Sequence, residues 1–404
     1  MAADAGPKQL PKSQDRAEEL RVLRFLGLFA RLDDESGYLH DLAEEAQKIS
    51  ASPISWDHVI RTAEVQGIAP LLYYRLKHNP AGIPAASMRM LKGLYLRHRL
   101  LWEVRTSVLG EIVAGCEERG IAVTLLKGAA LAHLLYPEPG LRPSSDIDLL
   151  VPEAHIPAAC DLLGSMGFHL PPVTSPKAYL QKHLPQATLS REGETVRVDL
   201  HHHLLKQGRP NRIDVAGSSV PPLEFSLGAG GSAARTLNLE DTLRYLCLHF
   251  CDIGHEPLSP VSGNTRLIWA ADITGFAGRY AGDVDWERIG RLYPFVIGTL
   301  ALLSFLTPLP GALEPVVPIR SSARPAGVGE GYRGWPGAPL ARHGLKGSVP
   351  MLKETFFPTE WWLRLYYGLG TGRSVYYHRW LGHPLHILTH VGRLVRRRLG
   401  AAPG

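Results

Sequence analysis

Leu141-Arg-Pro-Ser-Ser-Asp-Ile-Asp-Leu-Leu-Val151 decides how this chain is read, together with Thr124-Leu-Leu-Lys-Gly-Ala-Ala-Leu131 just ahead of it. In Asp146-Ile147-Asp148-Leu149 polar and apolar residues alternate. That is the period of a strand, so both carboxylates leave one face while Ile147 and Leu149 turn to the core. Two like charges held this close are unfavourable unless a cation sits between them. Mg²⁺, a hard ion that takes carboxylate and phosphate oxygens, is the economical candidate, with Mn²⁺ as the alternative. Upstream, Val123 to Leu126 reads as a buried strand, Lys127-Gly128 as a turn, and Ala129 to Tyr136 as a helix that closes before Pro137 and Pro139.

A third acid joins the pair. Thr195-Val-Arg-Val-Asp-Leu-His201 alternates in the same way, with Val196, Val198 and Leu200 on one face and Arg197, Asp199 and His201 on the other. Asp199 can therefore meet Asp146 and Asp148 from a neighbouring strand. Three carboxylates facing a Lys-Gly turn at a helix start suit nucleotide transfer, because helix N-terminal amides and a lysine hold phosphates and a metal bridges attacking and leaving oxygens. Of three successive histidines, His201 to His203, His201 lies two residues from Asp199 and is the one placed to touch substrate or accept a proton.

These residues resemble the nucleotidyltransferase-like group of the DNA polymerase beta superfamily, in particular the bacterial family of uncharacterised nucleotidyltransferases. The resemblance rests on Lys127-Gly128, on Arg142 through Val151, and on Asp199-Leu200-His201, and continues weakly through Asp241 to His249, Arg266 to Asp272 and Asp285-Trp286. Where the superfamily carries Gly-Ser at its phosphate turn, this chain has Lys-Gly. The resemblance implies an α+β fold, a small mixed sheet flanked by N- and C-terminal helical segments. It also implies a Mg²⁺-dependent enzyme that moves a nucleoside monophosphate from a nucleoside triphosphate to a hydroxyl or amine, releasing pyrophosphate. The expected metal ligands are Asp146, Asp148 and Asp199, with His201 assisting. The expected nucleotide contacts are Lys127, Gly128, Arg142 and Ser145. The acceptor, whether small molecule, peptide or protein, does not follow.

At 404 residues the chain exceeds one ordinary domain and can bury a substantial core. Hydrophobic content of 45% with 20% charged residues is globular. The net charge of +6 is uneven: from Arg320 onward basic residues outnumber acidic ones by ten, so the remainder is slightly acidic. That distribution gives no support for nucleic-acid binding by the catalytic unit, and offers the basic tail for peripheral contact with a surface. Four scattered cysteines fit a reducing cytoplasm, and the polar start is not a signal peptide. The longest apolar run, Phe295 to Pro308, is short of the ~20 residues a spanning helix needs.

In chain order, residues 1–15 read as disordered and 16–118 as mainly helical, with an amphipathic Ala17 to Leu32, two helices within Trp56 to Leu76 and a long one over Met88 to Gly115. Residues 119–227 form the catalytic unit, closing on a hairpin of Ala187 to Ser190 with Thr195 to Leu200. Gly228 to Ala233 reads as a loop or linker, 235–307 as helical, 308–350 as a Pro- and Gly-rich stretch of little regular structure or an extended lid, and 351–404 as an aromatic and basic segment.

Bland readings stand beside each signal. Asp146 and Asp148 could be an exposed Asx turn, Lys127 a solvated residue before a helix, and Arg142 a loop residue or a pin for the strand. Cys247-Leu-His249-Phe-Cys251 suits buried small hydrophobes better than zinc. Two rival functions remain. A metal-dependent glycosyltransferase also uses an Asp-x-Asp pair, but the expected run of strands and helices ahead of it is missing. A catalytically silent binding protein could keep the fold. The lack of a Gly-x-x-x-x-Gly-Lys-Ser/Thr run counts against a Walker-type kinase.

Overall fold

The computed structural model describes residues 13–33, 38–171 apart from 53 and 81, 186–204, 211–253 apart from 212, 214, 216–218 and 229–230, 266–317, and 348–392 apart from 373 and 390–391. The fold is α+β. Five helices come first: α1 (Ser13–Leu28), α2 (Tyr38–Ser50), α3 (Trp56–Val65), α4 (Ala69–Leu76) and the 34-residue α5 (Ala85–Glu118). Phe25, Phe29, Trp56, Ile60, Leu72 and Leu91 bury a core of their own among them. Helix α1 presses its apolar side into that core, the packed outcome expected of an amphipathic Ala17 to Leu32.

The sheet follows. β1 (Thr124–Leu126) leads directly into α6 (Lys127–Leu135), then come β2 (Ile147–Leu150), α7 (Ile156–Ser165), β3 (Ala187–Arg191) and β4 (Glu194–His201). Strand order is β1-β2-β4-β3. β1 runs antiparallel to β2, β2 parallel to β4, and β3 antiparallel to β4. The β3–β4 turn is the two-residue loop Glu192-Gly193 with φ of 51° and 78°. Both values are positive, as the hairpin twist requires. Ahead of β3, His169 adds an isolated bridge to Thr188.

One face of the sheet carries Leu125, Ile147, Leu149, Val196, Val198 and Leu200 into a core shared with α5 and α7. The other face holds a small cluster of Leu126, Leu150, Leu204, Leu237 and Tyr245, beside the polar residues of the site. A second hairpin, β5 (Leu223–Ser226) with β6 (Ala233–Thr236), is joined by the stretch read from sequence as a loop or linker. It braces β1 through side chains: Thr236 Oγ1 donates to the Leu125 carbonyl at 2.7 Å and Arg235 Nε to that of Val123 at 3.0 Å.

Helices α8 (Leu239–Ile253), α9 (Leu267–Arg279), α10 (Trp286–Leu292) and α11 (Pro294–Leu303) build the third core, which the later helix Glu360–Tyr367 closes with Trp361, Trp362 and Leu365. Cys247 and Cys251 are buried there as free thiols. Burial pushes the Cys247 thiol well up. The lid or disorder expected in 308–350 falls mostly on 318–347, outside the described residues, as do residues 1–12. No helix among the described residues is long and apolar enough to cross a membrane.

Candidate active site

Parallel pairing of β2 with β4 sets the site. Its register places Asp148 beside Asp199 and Leu150 beside His201. With Val198 and Leu200 drawn into the core, Asp199 and His201 must emerge on the opposite face. Ligand atoms of Asp148, Asp199 and His201 all lie within 4.8 Å of one another, the one such group of three or more His, Cys, Asp or Glu among the described residues. Two carboxylates and an imidazole at this spacing fit a small divalent cation. Asp146 stands just ahead of β2, half-buried and outside that group. It is near enough that burial, then Asp148 and Asp199, push its carboxyl above the ordinary range, while Lys127 and Ser145 oppose the rise.

Lys127 is the unexpected part of the geometry. It is not in a separate turn but is the first residue of α6, with φ of 41° at the junction of strand and helix. A non-glycine residue held in the left-handed region costs about 1 kcal/mol, and such positions cluster at functional sites. The side chain points back onto the carboxylates: Nζ lies 3.1 Å from Asp148 Oδ1 and 5.7 Å from the centre of the Tyr245 ring. Burial opposes the ammonium, but Tyr245 and Asp148 together raise its pKa above the ordinary value. His201 Nε2 sits 2.6 Å from the same Asp148 oxygen. Burial alone would raise the Asp148 carboxyl, yet Lys127 and His201 hold it well below the usual carboxylate range. Asp199 is oriented by Gln186, whose Nε2 donates to Oδ1 at 2.9 Å.

Arg142 and Gly128 serve a different cluster. The Arg142 guanidinium is buried and grips Asp272 of α9, with Nη2 donating to Oδ2 at 2.6 Å and Nε to Oδ1 at 3.0 Å. Tyr136 OH donates to the same carboxylate at 2.8 Å. The chain entering β2 is tied down further: Trp102 Nε1 donates to the Arg142 carbonyl, Arg105 to that of Ser144, and Ser144 Oγ to that of Asp146. A Cβ on Gly128 would come within 2.4 Å of Arg142 Nη1 and 2.9 Å of Ser144 Oγ, so the bare backbone here makes room for arginine. Ser145 is exposed.

The structure thus brings together Lys127, Asp146, Asp148, Asp199 and His201, sets Arg142 and Gly128 beneath them, and leaves Ser145 at the rim. Sequence reasoning misses Gln186, Tyr245 and Asp272 in these roles. Asp272 alone carries a signal, as the single acid in the apolar run Leu267 to Phe276. The Cys247, His249 and Cys251 set is not among the groups with metal-ligand spacing.

One strand step beyond the carboxylates, past Leu150, a cavity of about 540 Å³ opens. Thr124, Leu150, His202, Leu204, Asn238 and Asp241 are among its lining residues.

Residues 52–292, more than half of the chain, match the family described as uncharacterised nucleotidyltransferase. The chain belongs to that family and is a nucleotidyltransferase. Among solved structures it is similar to the solution structure of the antibiotic-resistance factor ANT(2'')-Ia, at 14% identity over 50% of this chain and 91% of that one, with a TM-score of 0.31. An overlap this loose says nothing of the substrate this chain takes. Comparison with curated proteins finds no match.

Proposed function

We propose that the site transfers a nucleoside monophosphate from a nucleoside triphosphate to an acceptor hydroxyl or amine. The acceptor atom bonds to the α-phosphorus, the α–β phosphoanhydride bond breaks, and pyrophosphate leaves. The observation that supports this most is the parallel register that sets Asp148 beside Asp199, with His201 within ligand distance of both.

Asp148, Asp199 and His201 would hold the divalent cation, Mg²⁺ or Mn²⁺, with Asp146 adding negative potential beside them. When bound, the ion neutralises phosphate charge and acts as a Lewis acid. Asp199, fixed by Gln186, accepts the acceptor's proton. Lys127 exchanges its bond to Asp148 for a phosphate oxygen, which a mobile ammonium does readily. Arg142 acts as a positioning residue, since its charge is matched by Asp272. The cavity beyond Leu150 has the volume of a small-molecule site and would receive the acceptor.

The silent-fold reading draws on one specific observation. Lys127 already pairs with Asp148, so one carboxylate of the group has a cation of its own.

The deciding experiment incubates the purified protein with each α-labelled nucleoside triphosphate, Mg²⁺ or Mn²⁺, and an extract of host cells. Label appearing on an acceptor, lost with chelator and in Asp148→Asn, is the expected result. If no triphosphate ever delivers label, the silent reading stands; transfer of sugar from a nucleotide sugar would replace both.

A further inference from the structure

The last helical stretch, residues 375–389 with a π-turn at His378–Gly382, has an unusual outer side. Its inner side packs normally: His383 and Ile387 are buried, and His383 meets Trp362 at 5.1 Å between ring centres. A surface helix should then turn polar residues outward. Instead Tyr377, Trp380, Leu381, Leu385 and Leu388 all lie outside, 49% to 62% exposed, and Tyr376 beside them reaches 76%. Their spacing makes one stripe along the helix. Val349 and Leu352, on the helix Ser348–Phe356, are also exposed, at 74% and 49%.

Charge identifies what such a stripe would meet. After Glu360 the chain has no Asp or Glu at all, against seven arginines, four of them at Arg393, Arg396, Arg397 and Arg398. The stretch from Arg320 to Lys346 adds five basic residues against one acid. Two copies of so basic a segment would repel each other. Aromatic rings with a polar edge, leucines and flanking arginines together match the interface of a bilayer with anionic headgroups. No described helix can span a membrane, so the contact is peripheral.

We propose that the face of Tyr377, Trp380, Leu381, Leu385 and Leu388, helped by the arginine-rich sequence that follows it, binds the surface of an anionic lipid bilayer. The stripe enters the headgroup region and the arginines pair with phosphates. This holds whether or not Asp148 and Asp199 transfer nucleotides.

The test is flotation of the full chain with vesicles of phosphatidylcholine alone, or of phosphatidylcholine mixed with phosphatidylglycerol. The wild type floats with the mixed vesicles only, and high salt releases it. Trp380→Glu/Leu385→Glu lowers the bound fraction about tenfold or more while keeping its circular dichroism and melting curve. Arg396→Gln/Arg397→Gln/Arg398→Gln weakens binding to the mixed vesicles. Should the glutamate variant misfold, Leu385→Ser/Leu388→Ser replaces it. The proposal is overturned if the wild type stays unbound, or if the folded variants float as well as it does. It is equally overturned if light scattering shows a wild-type dimer that the variants dissociate while neither form floats, since the stripe then belongs to a second copy.

Discussion

Two ionic clusters lie side by side in this protein and are built on opposite plans. In one, Arg142 and Asp272 form a doubly hydrogen-bonded pair, Tyr136 adds a third donor, and the charges cancel. In the other, Asp146, Asp148 and Asp199 outnumber Lys127, and His201 shares an oxygen of Asp148 with it. The first resembles mortar: burial is tolerable because every formal charge has its complement. The second keeps a surplus of negative charge, a standing deficit that a cation and a phosphate chain would fill. Neighbouring buried aspartates can thus hold structure or offer chemistry according to whether their charge is cancelled.

The contrast can be broken most forcefully by removing one charge from each cluster. Asp148→Asn is expected to lower transfer activity by about 10³-fold or more, with folding retained; a labelled-nucleotide assay beside a melting curve checks both. Arg142→Met should do the reverse at the outset, costing about 3–5 kcal/mol in urea unfolding because Asp272 is left charged and buried. Gly128→Ala forces a methyl group into the Arg142 guanidinium, and about 1–3 kcal/mol of lost stability is expected in the same measurement. Tyr136→Phe removes one donor from Asp272 and should cost about 1–2 kcal/mol.

The smallest effect has the opposite sign and sharpens the comparison. Because burial and then the neighbouring carboxylates raise the Asp146 carboxyl, the unfolded chain ionises first as pH rises, and the folded state is penalised above that range. Asp146→Asn should therefore melt slightly higher than wild type at neutral pH. Its advantage should vanish in acid, where the wild-type carboxyl is protonated in both states. A variant that melts lower at pH 7 would mean the cluster has no surplus to relieve.

Alternation made the two carboxylate strands readable, since Asp146 to Leu149 and Thr195 to His201 each display a core face and a polar one. The parallel register joining them is not written locally: it depends on α7 and β3 intervening between strands that then lie adjacent. Lys127-Gly128 reads as a turn in the sequence but opens α6 in the structure. Glycine before a helix signals close backbone approach, but the sequence does not say what approaches, and here it is Arg142. The partner of Arg142 lies 130 residues away on α9, beyond any periodicity. Helix α2 and the strands β5 and β6 also escaped notice, the latter because a glycine-rich stretch reads equally as a hairpin loop or a linker. In the tail, aromatic residues alone could not be sorted into Trp361 and Trp362, which complete a core, and Trp380, which remains outside.

The bond from Arg142 to Asp272 has a consequence for how the polypeptide matures. The strand bearing Asp148 emerges from the ribosome long before α9, so its approach loop waits without an anchor until some 130 further positions have been made. Nascent chains cut short ahead of Asp272 should carry Asp146, Asp148 and Asp199 yet fail to lock them, which ties competence to late synthesis.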